Sequence, residues 1–423
     1  MDRLLVTGGA PLDGTVEIAG AKNSALKLMA AAVLADGRFT LRNVPRIQDC
    51  ITMVEVLEHL GVGTAWKQGE LVLDTSEVRP LETPYELVSR MRASILVLGP
   101  LLARFRNARV AMPGGCNIGS RAIDLHIKGL EKMGATFHSE HGFLVGETSG
   151  LRGAIVTLDF PSVGATENVL MAAVAARGTT VIENAAREPE LVDLAEFLVE
   201  MGAGIEGVGT PTIEIEGVEG FEAVDHAVIP DRVEAGTFAI ASSVTGGRVV
   251  LSGARADHMD LVLSKLSDAG ADVLATEDGI VVSMGSRARC VDLVTLPYPG
   301  FPTDLQPQMM ALLASAEGTS IVTENVFESR FMFVDELNRM GADIRTEGHH
   351  AVIRGVQRLS AAPVRALDIR AGAAMVIAAL GADGVTEIED LYHVDRGYQD
   401  LEAKLLGLGA QVRRERERTP ALP

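Results

Sequence analysis

Aromatic residues are scarce, with Phe, Trp and Tyr making up 4% of the chain and Trp occurring once. A stacking platform for single-stranded nucleic acid needs several exposed rings, so that class of binder is poorly supported. Positive charge is also short: 38 Lys and Arg stand against 57 Asp and Glu, a formal net charge of −19. Non-specific nucleic-acid binding needs a basic face to neutralise phosphates, and this chain has little to build one from. Any anionic ligand must instead meet cations clustered locally. Three cysteines (Cys50, Cys116, Cys290) show no paired spacing, which argues against a disulfide framework and a cysteine zinc site, so each is judged as a thiol. Long apolar runs are missing too. Ala25 to Ala35 is interrupted by Lys27 and stops at Asp36, well short of the roughly 20 residues a membrane span requires. Met1-Asp2-Arg3-Leu4-Leu5-Val6 turns directly into a strand-like pattern, without a basic leader and a long apolar core. The expectation is a soluble, cytoplasmic chain with no membrane or nucleic-acid partner.

What is present is repetition. At 423 residues and 47% apolar content the chain is too long for one ordinary core, and two domains are the natural division. A leucine, three residues and a glycine recur as LEHLG (57–61), LEKMG (130–134), LVEMG (198–202), LSDAG (266–270), LNRMG (337–341) and LLGLG (405–409). Their glycines are separated by 73, 68, 68, 71 and 68 residues, a period too long for ordinary solenoids. Each follows an amphipathic run and precedes an alternating segment, the pattern of a glycine C-cap joining helix to strand. A second motif, an Ala-rich helix ending near glycine before a β-branched strand, recurs at 31–41, 172–182, 241–251, 313–322 and 378–388. LLARFRNARVAM (101–112) fits it loosely, and the even spacing of the other copies favours a diverged sixth. Six units of two helices and several strands, three to a domain, predict two compact α/β domains.

Function belongs to residues that differ at equivalent positions. The first helices open near Lys22-Asn23, Arg92, Thr166-Glu167-Asn168, Asp231-Arg232, Thr303-Asp304 and Arg370. The second open near Asp49, Arg121, Glu190, Asp257-His258, Arg330 and Arg396. Helix N-termini carry unpaired N–H groups and a positive dipole end, so a cation there opposes the local field unless an anion arrives. Salt bridges to surplus carboxylates account for any one of these arginines; the set as a whole favours an anion site. Guanidinium forks suit carboxylates and phosphates, and a ligand carrying both satisfies the cluster.

Pro113-Gly114-Gly115-Cys116-Asn117-Ile118-Gly119-Ser120-Arg121 is the strongest local signal. Its glycines allow movement and close approach of backbone to ligand, and Arg121 or a helix N-terminus nearby raises the thiolate fraction of Cys116. A lone loop cysteine is commonly inert, and Cys50 and Cys290 keep that reading. Thr303 or Asp304, after the proline-punctuated YPGFP, reads as an N-cap, and the same carboxylate can accept a proton from a substrate hydroxyl. No Walker loop and no GxGxxG after a strand occurs. His349-His350 lacks ligand spacing and reads as surface, and Arg413 to Arg418 followed by TPALP reads as a frayed terminus.

The motifs AGAKNSAL (19–26), MRAS (91–94), PGGCNIGSR (113–121) with DLH (124–126), PSVGATEN (161–168), IPDRVEAGTF (229–238), PGFPTDLQPQ (299–308), ENVFESRF (324–331) and YHVDRGY (392–398) occur in this order. Over essentially its whole length the chain resembles the UDP-N-acetylglucosamine 1-carboxyvinyltransferase family of enolpyruvyl transferases. The resemblance implies a two-domain inverse α/β barrel, three repeats per domain, with residues 22–229 as one domain and 1–21 plus 230–423 as the other. It implies transfer of the enolpyruvyl group of phosphoenolpyruvate to the 3-hydroxyl of UDP-N-acetylglucosamine in peptidoglycan synthesis, without metal, cofactor or obligate protein partner. Lys22, Asn23, Arg121 and Arg396 are then expected to hold phosphoenolpyruvate, Cys116 to protonate its C3, and Asp304 to take the sugar proton. Arg92, Arg121, Ala122, Ile123, Asp124, Leu125, Ser162, Val163, Gly164, Asp304 and Val326 are expected around the UDP-sugar, with Arg330 and Arg370 as further active-site cations. Two positions depart from the family: Ala122, where proline is frequent, and Phe160, where some members carry lysine. The sister reaction on shikimate 3-phosphate is the alternative activity, and the PGGC loop distinguishes the two. A silent UDP-sugar-binding homologue is the other, against which Lys22, Cys116, Asp304 and Arg396 stand.

Overall fold

The computed structural model describes residues 2–67, 69–79, 82–83, 86–87, 91–112 and 123–416, apart from the side chains of Arg92 and Ser94. These form two compact units, one within residues 20–229 and the other from residues 2–19 together with 230–416.

The repeat glycines have a conformational cause. Gly61, Gly134, Gly202, Gly270, Gly341 and Gly409 all lie at φ between 87° and 110°, where a Cβ is disfavoured, and each passes its helix into a strand. The loose copy of the second motif is a genuine sixth member. Its helix Leu98–Phe105 ends on Arg106 at φ 62°, and the strand Asn107–Ala111 follows. A non-glycine residue thus occupies the left-handed position, which is why the motif is hard to see in the sequence.

Each repeat contributes a sheet of four strands, or three in the Asn107–Ala111 repeat among the described residues. The strand Thr179–Glu183 is typical. It pairs in parallel with Ile155–Thr157 and antiparallel with Thr212–Glu216, which pairs in turn with Gly204–Glu206. In the last repeat the middle place is taken from the other end of the chain: Arg3–Thr7 lies between Val385–Glu389 and Gln411–Glu415, antiparallel to both. Residues 411–415 are therefore a paired strand, which corrects the expectation of a frayed tail from Arg413 onward. Its charges are also engaged, since Arg414 donates to Asp395 Oδ1 and Oδ2 at 2.9 and 2.7 Å and to Asp2 at 2.9 Å.

Strands such as Arg248–Ser252 bury alternate side chains, so one sheet face is wet. The first helices of the repeats are instead buried nearly all round. Nine of ten residues of Lys22–Ala31 are buried, every residue of Gln306–Ala314, and Ile369–Gly381 from Arg370 through Leu380. Helices inside and sheets outside is the inverted layering that the resemblance implies. Its local consequence is that any polar residue on an inner helix must find a buried partner.

Candidate active site

Asp304 sits in a 3₁₀ turn, Thr303–Leu305, that leads into Gln306–Ala314. The turn seats against the helix Arg232–Thr245 at Gly236, where a Cβ would stand 2.4 Å from Leu305 Cδ1. The expected N-cap role is overturned, because neither Thr303 nor Asp304 caps the helix through its side chain. Two buried arginines have taken the carboxylate instead. Arg330 Nη2 donates to Oδ1 at 3.1 Å and Arg370 Nη2 to Oδ2 at 2.8 Å. Arg330 also holds the Thr303 carbonyl at 3.1 Å. Burial works against the charge on Arg370, but Asp304, Tyr398 and Asp231 outweigh it and raise its pKa above the ordinary value. A charge-assisted bond from each side holds the carboxylate in a defined orientation.

Lys22 opens its helix as expected, with no side-chain cap before it. Its Nζ lies 3.1 Å from Asp49 Oδ2, both side chains being buried. The same helix makes two more buried polar ties: Ser24 Oγ donates to Asp193, and Lys27 Nζ lies 2.5 Å from Glu167 Oε1. Burial pushes the Glu167 carboxyl up to about 7 against the pull of Lys27. Lys22 and Asn23 therefore stand on a helix tied at three points to its surroundings, and a rigid support lowers the cost of ordering cations around a ligand.

The helix predicted near Thr166 begins three residues earlier, at Val163, because Ser162 caps it by accepting from Ala165 N. This moves Ser162, Val163 and Gly164 to the helix N-terminus, against the start of Asp124–Lys132. His126 of that second helix is the contact: a Cβ on Gly164 would stand 3.1 Å from its ring, and its Nδ1 lies 2.9 Å from Asn168 Nδ2. Ile123, Asp124 and Leu125 thus share a neighbourhood with 162–164. Val326 N, in the other compact unit, donates to Glu324 at 2.8 Å.

Arg396 is not at a helix start. It is the C-cap of the short helix Tyr392–Asp395, and the next helix, Leu401–Gly407, begins only after Asp400 at φ 50°. Half-buried His393 has a pKa below its usual value, first through burial and then through the charge of Arg396. Cys116, Arg121 and Ala122 lie outside the described residues, as does the side chain of Arg92. Among the described residues no group of three or more His, Cys, Asp or Glu is placed to hold a metal ion, and no helix is long and apolar enough to cross a membrane.

Comparison with known proteins gives this arrangement a context. A family model described as EPSP synthase (3-phosphoshikimate 1-carboxyvinyltransferase) matches residues 6–405. UDP-N-acetylglucosamine 1-carboxyvinyltransferase 2 of Carboxydothermus hydrogenoformans is 54% identical over 416 residues, 98% of this chain and 99% of that protein. The UDP-N-acetylglucosamine 1-carboxyvinyltransferase of Corynebacterium jeikeium is 52% identical, over 98% of this chain and 99% of its own length. The chain belongs to the UDP-N-acetylglucosamine 1-carboxyvinyltransferase family. The enolpyruvyl transferase NikO from Streptomyces tendae has a similar structure, with TM-score 0.89, 26% identity and 98% of both chains covered. An EPSP synthase from Acinetobacter baumannii shares the fold, with TM-score 0.77 at 17% identity over 98% of this chain and 100% of that one.

For a 1-carboxyvinyltransferase chain, the residues that sequence reasoning missed are the partners. Asp49 was visible only as an acid in a first helical turn, with nothing to tie it to Lys22 across 27 positions. Glu324 opens ENVFESRF and Tyr398 ends YHVDRGY, but neither carried a local signal for its partners; Tyr398 hydrogen-bonds Thr237 at 3.0 Å and Gln308 at 3.3 Å.

Proposed function

We propose that this chain transfers the enolpyruvyl group of phosphoenolpyruvate to the 3-hydroxyl of UDP-N-acetylglucosamine, releasing phosphate, the first committed step of peptidoglycan synthesis in the cytoplasm. The observation that carries this reading is the near full-length identity of about half to UDP-N-acetylglucosamine 1-carboxyvinyltransferases from several bacteria. The domain division, 22–229 against 1–21 plus 230–423, is part of the same reading, and the compact units support it.

In the addition step the sugar O3 bonds to C2 of phosphoenolpyruvate, its proton passes to Asp304, and Cys116 delivers a proton to C3. In the elimination step C3 loses a proton, the C2–O bond to phosphate breaks, and the alkene re-forms in the product. Lys22, Arg121 and Arg396 hold the phosphate and carboxylate by charge and Asn23 by its side-chain amide, opposing the negative charge as it moves. A carboxylate clamped by Arg330 and Arg370 is held in one orientation. It accepts the proton as the C–O bond forms and the hydroxyl becomes acidic. Arg92, Arg121 to Leu125, Ser162 to Gly164 and Val326 contact the UDP-sugar, and the N–H groups at the helix starts after Ser162 and Ile123 suit its diphosphate.

The test is phosphate release from phosphoenolpyruvate with each acceptor. Release with UDP-N-acetylglucosamine alone is expected; release with shikimate 3-phosphate alone overturns the reading. Cys116→Asp should keep turnover while resisting thiol-alkylating epoxides if the loop residue acts as a proton donor.

A further inference from the structure

Glu324 closes the strand Thr319–Thr323 and is 1% exposed. Its carboxylate is shared by three segments. Oε1 accepts from the backbone N–H of Val326 at 2.8 Å and of Phe327 at 3.1 Å, and from Thr295 Oγ1 at 2.8 Å. Oε2 accepts from Thr303 Oγ1 at 3.0 Å. Thr295 in turn accepts from Asn325 N at 3.0 Å, tying the turn to Thr295 as well. Thr303 precedes Asp304, and its carbonyl is held by Arg330, whose guanidinium lies 5.9 Å from the Phe327 ring centroid. The contacts form a closed circuit: Glu324, the 326–327 turn, Arg330, Thr303 and back to Glu324, with Asp304 carried on it.

We propose that Glu324 is a positioning residue for the transfer, setting the orientation of Asp304 through the Thr303 hydroxyl and the Val326 turn through the backbone. This rests on the functional reading above. A buried carboxylate that accepts from several donors keeps a single rotamer, so the 326–327 turn and Thr303 are registered to one rigid group. Neither oxygen touches the Asp304 carboxylate, so the effect on chemistry is transmitted through Thr303.

The two oxygens permit a selective test. In Glu324→Gln the amide oxygen can keep the turn while the amide NH2 replaces the acceptor facing Thr303. The Thr303 hydroxyl can answer only by turning to accept from that NH2, so Thr303→Val, which removes the bond outright, is the stricter variant, and Thr303→Ser retains the bond. Phosphate release and calorimetric titration with UDP-N-acetylglucosamine are measured for each variant on the full chain. The expected result is a kcat about tenfold or more below wild type for Glu324→Gln and Thr303→Val, since small misplacements near reacting atoms are costly. The sugar-nucleotide Kd should stay within about threefold, Thr303→Ser should be near wild type, and the double variant no worse than the poorer single one. A kcat within twofold of wild type in Thr303→Val, or losses that multiply in the double variant, overturns the proposal. Should Glu324→Gln fail to fold, Thr303→Val, which keeps the carboxylate, decides alone. An inactive wild type overturns the functional reading itself and the proposal with it, whereas an active wild type with unaffected variants overturns only the positioning role.

Discussion

Asp304→Asn is the most informative single change, because the pairing with two arginines and the proton-accepting role proposed for Asp304 fail by different amounts. Arg330 and Arg370 are 2% and 5% exposed, and each donates to one Asp304 oxygen. Breaking a buried ion pair by removing one partner costs about 3–5 kcal/mol, because a charge is left without compensation. The Asp304 side chain is 27% exposed, so water relieves part of that, and the amide oxygen still accepts from one arginine. The low end, about 3 kcal/mol, is therefore expected for Asn, and more for Ala. At roughly 2–4 °C per kcal/mol for a unit of about 200 residues, Tm should fall by about 6–12 °C. Turnover should fall further, by about 10²–10⁴-fold, if the carboxylate takes the sugar proton. Scanning calorimetry, and phosphate release at a temperature where the variant is folded, separate the two. A Tm within about 2 °C of wild type refutes the counter-ion argument, and turnover within fivefold refutes the base.

Three further outcomes follow from other parts of the molecule. Burial opposes protonation of His226, but hydrogen bonds from its ring to Asp193 and Glu200, each 2.9 Å, outweigh it and raise its pKa above the ordinary 6.5. The folded chain then keeps the proton to higher pH than the unfolded one, so this stability is full below pH 6.5 and is lost as pH rises through the raised value. His226→Gln should flatten the fall in urea midpoint above neutrality, and an unchanged slope sinks the assignment. Arg106→Gly should stabilise by about 0.5–1 kcal/mol by relieving the left-handed strain, read as a shifted urea midpoint; no gain means the arginine makes compensating contacts. Arg414→Gln should cost about 1 kcal/mol, at the upper end for part-exposed pairs because the fork engages both Asp395 oxygens, with Arg414→Lys recovering only part. Limited proteolysis of the 411–416 strand checks it, and an unchanged cleavage rate refutes the tie.

Legibility in the sequence depended on range. The repeat glycines were readable because their cause is local: a single backbone conformation that one residue type adopts freely. Arg106 hid the sixth copy for the converse reason, since a tertiary setting holds a non-glycine residue in that conformation. Helix starts were readable to within a few residues, and the error at Thr166 came from giving weight to the polar triplet rather than to the Ser162 cap. Arg396 was misplaced because Asp400 interrupts the helix with a positive φ that no neighbouring residue announces. Asp304 looked like a cap because its two arginine partners lie 26 and 66 residues away. The tail looked solvated because charge alternation in an edge strand has the same composition as charge in a loop. Only the pairing with Arg3–Thr7, from the far end of the chain, tells them apart.

That pairing also bears on how the molecule is made. Leu4 lies opposite Ile388 on one side and Arg414 on the other, so during synthesis Arg3–Thr7 waits for partners that are made far later in the chain. At about 5–20 residues per second the wait is roughly 20–80 s. During that time residues 20–229 can complete their own sheets, while Arg3–Thr7 stands with both edges open. A five-residue strand with Asp2 and Arg3 at its start offers a poor template for stray pairing in the interval. In this sheet the earliest strand synthesised is among the last to be placed, and the sheet stays incomplete there until residues 411–415 are made and pair with it.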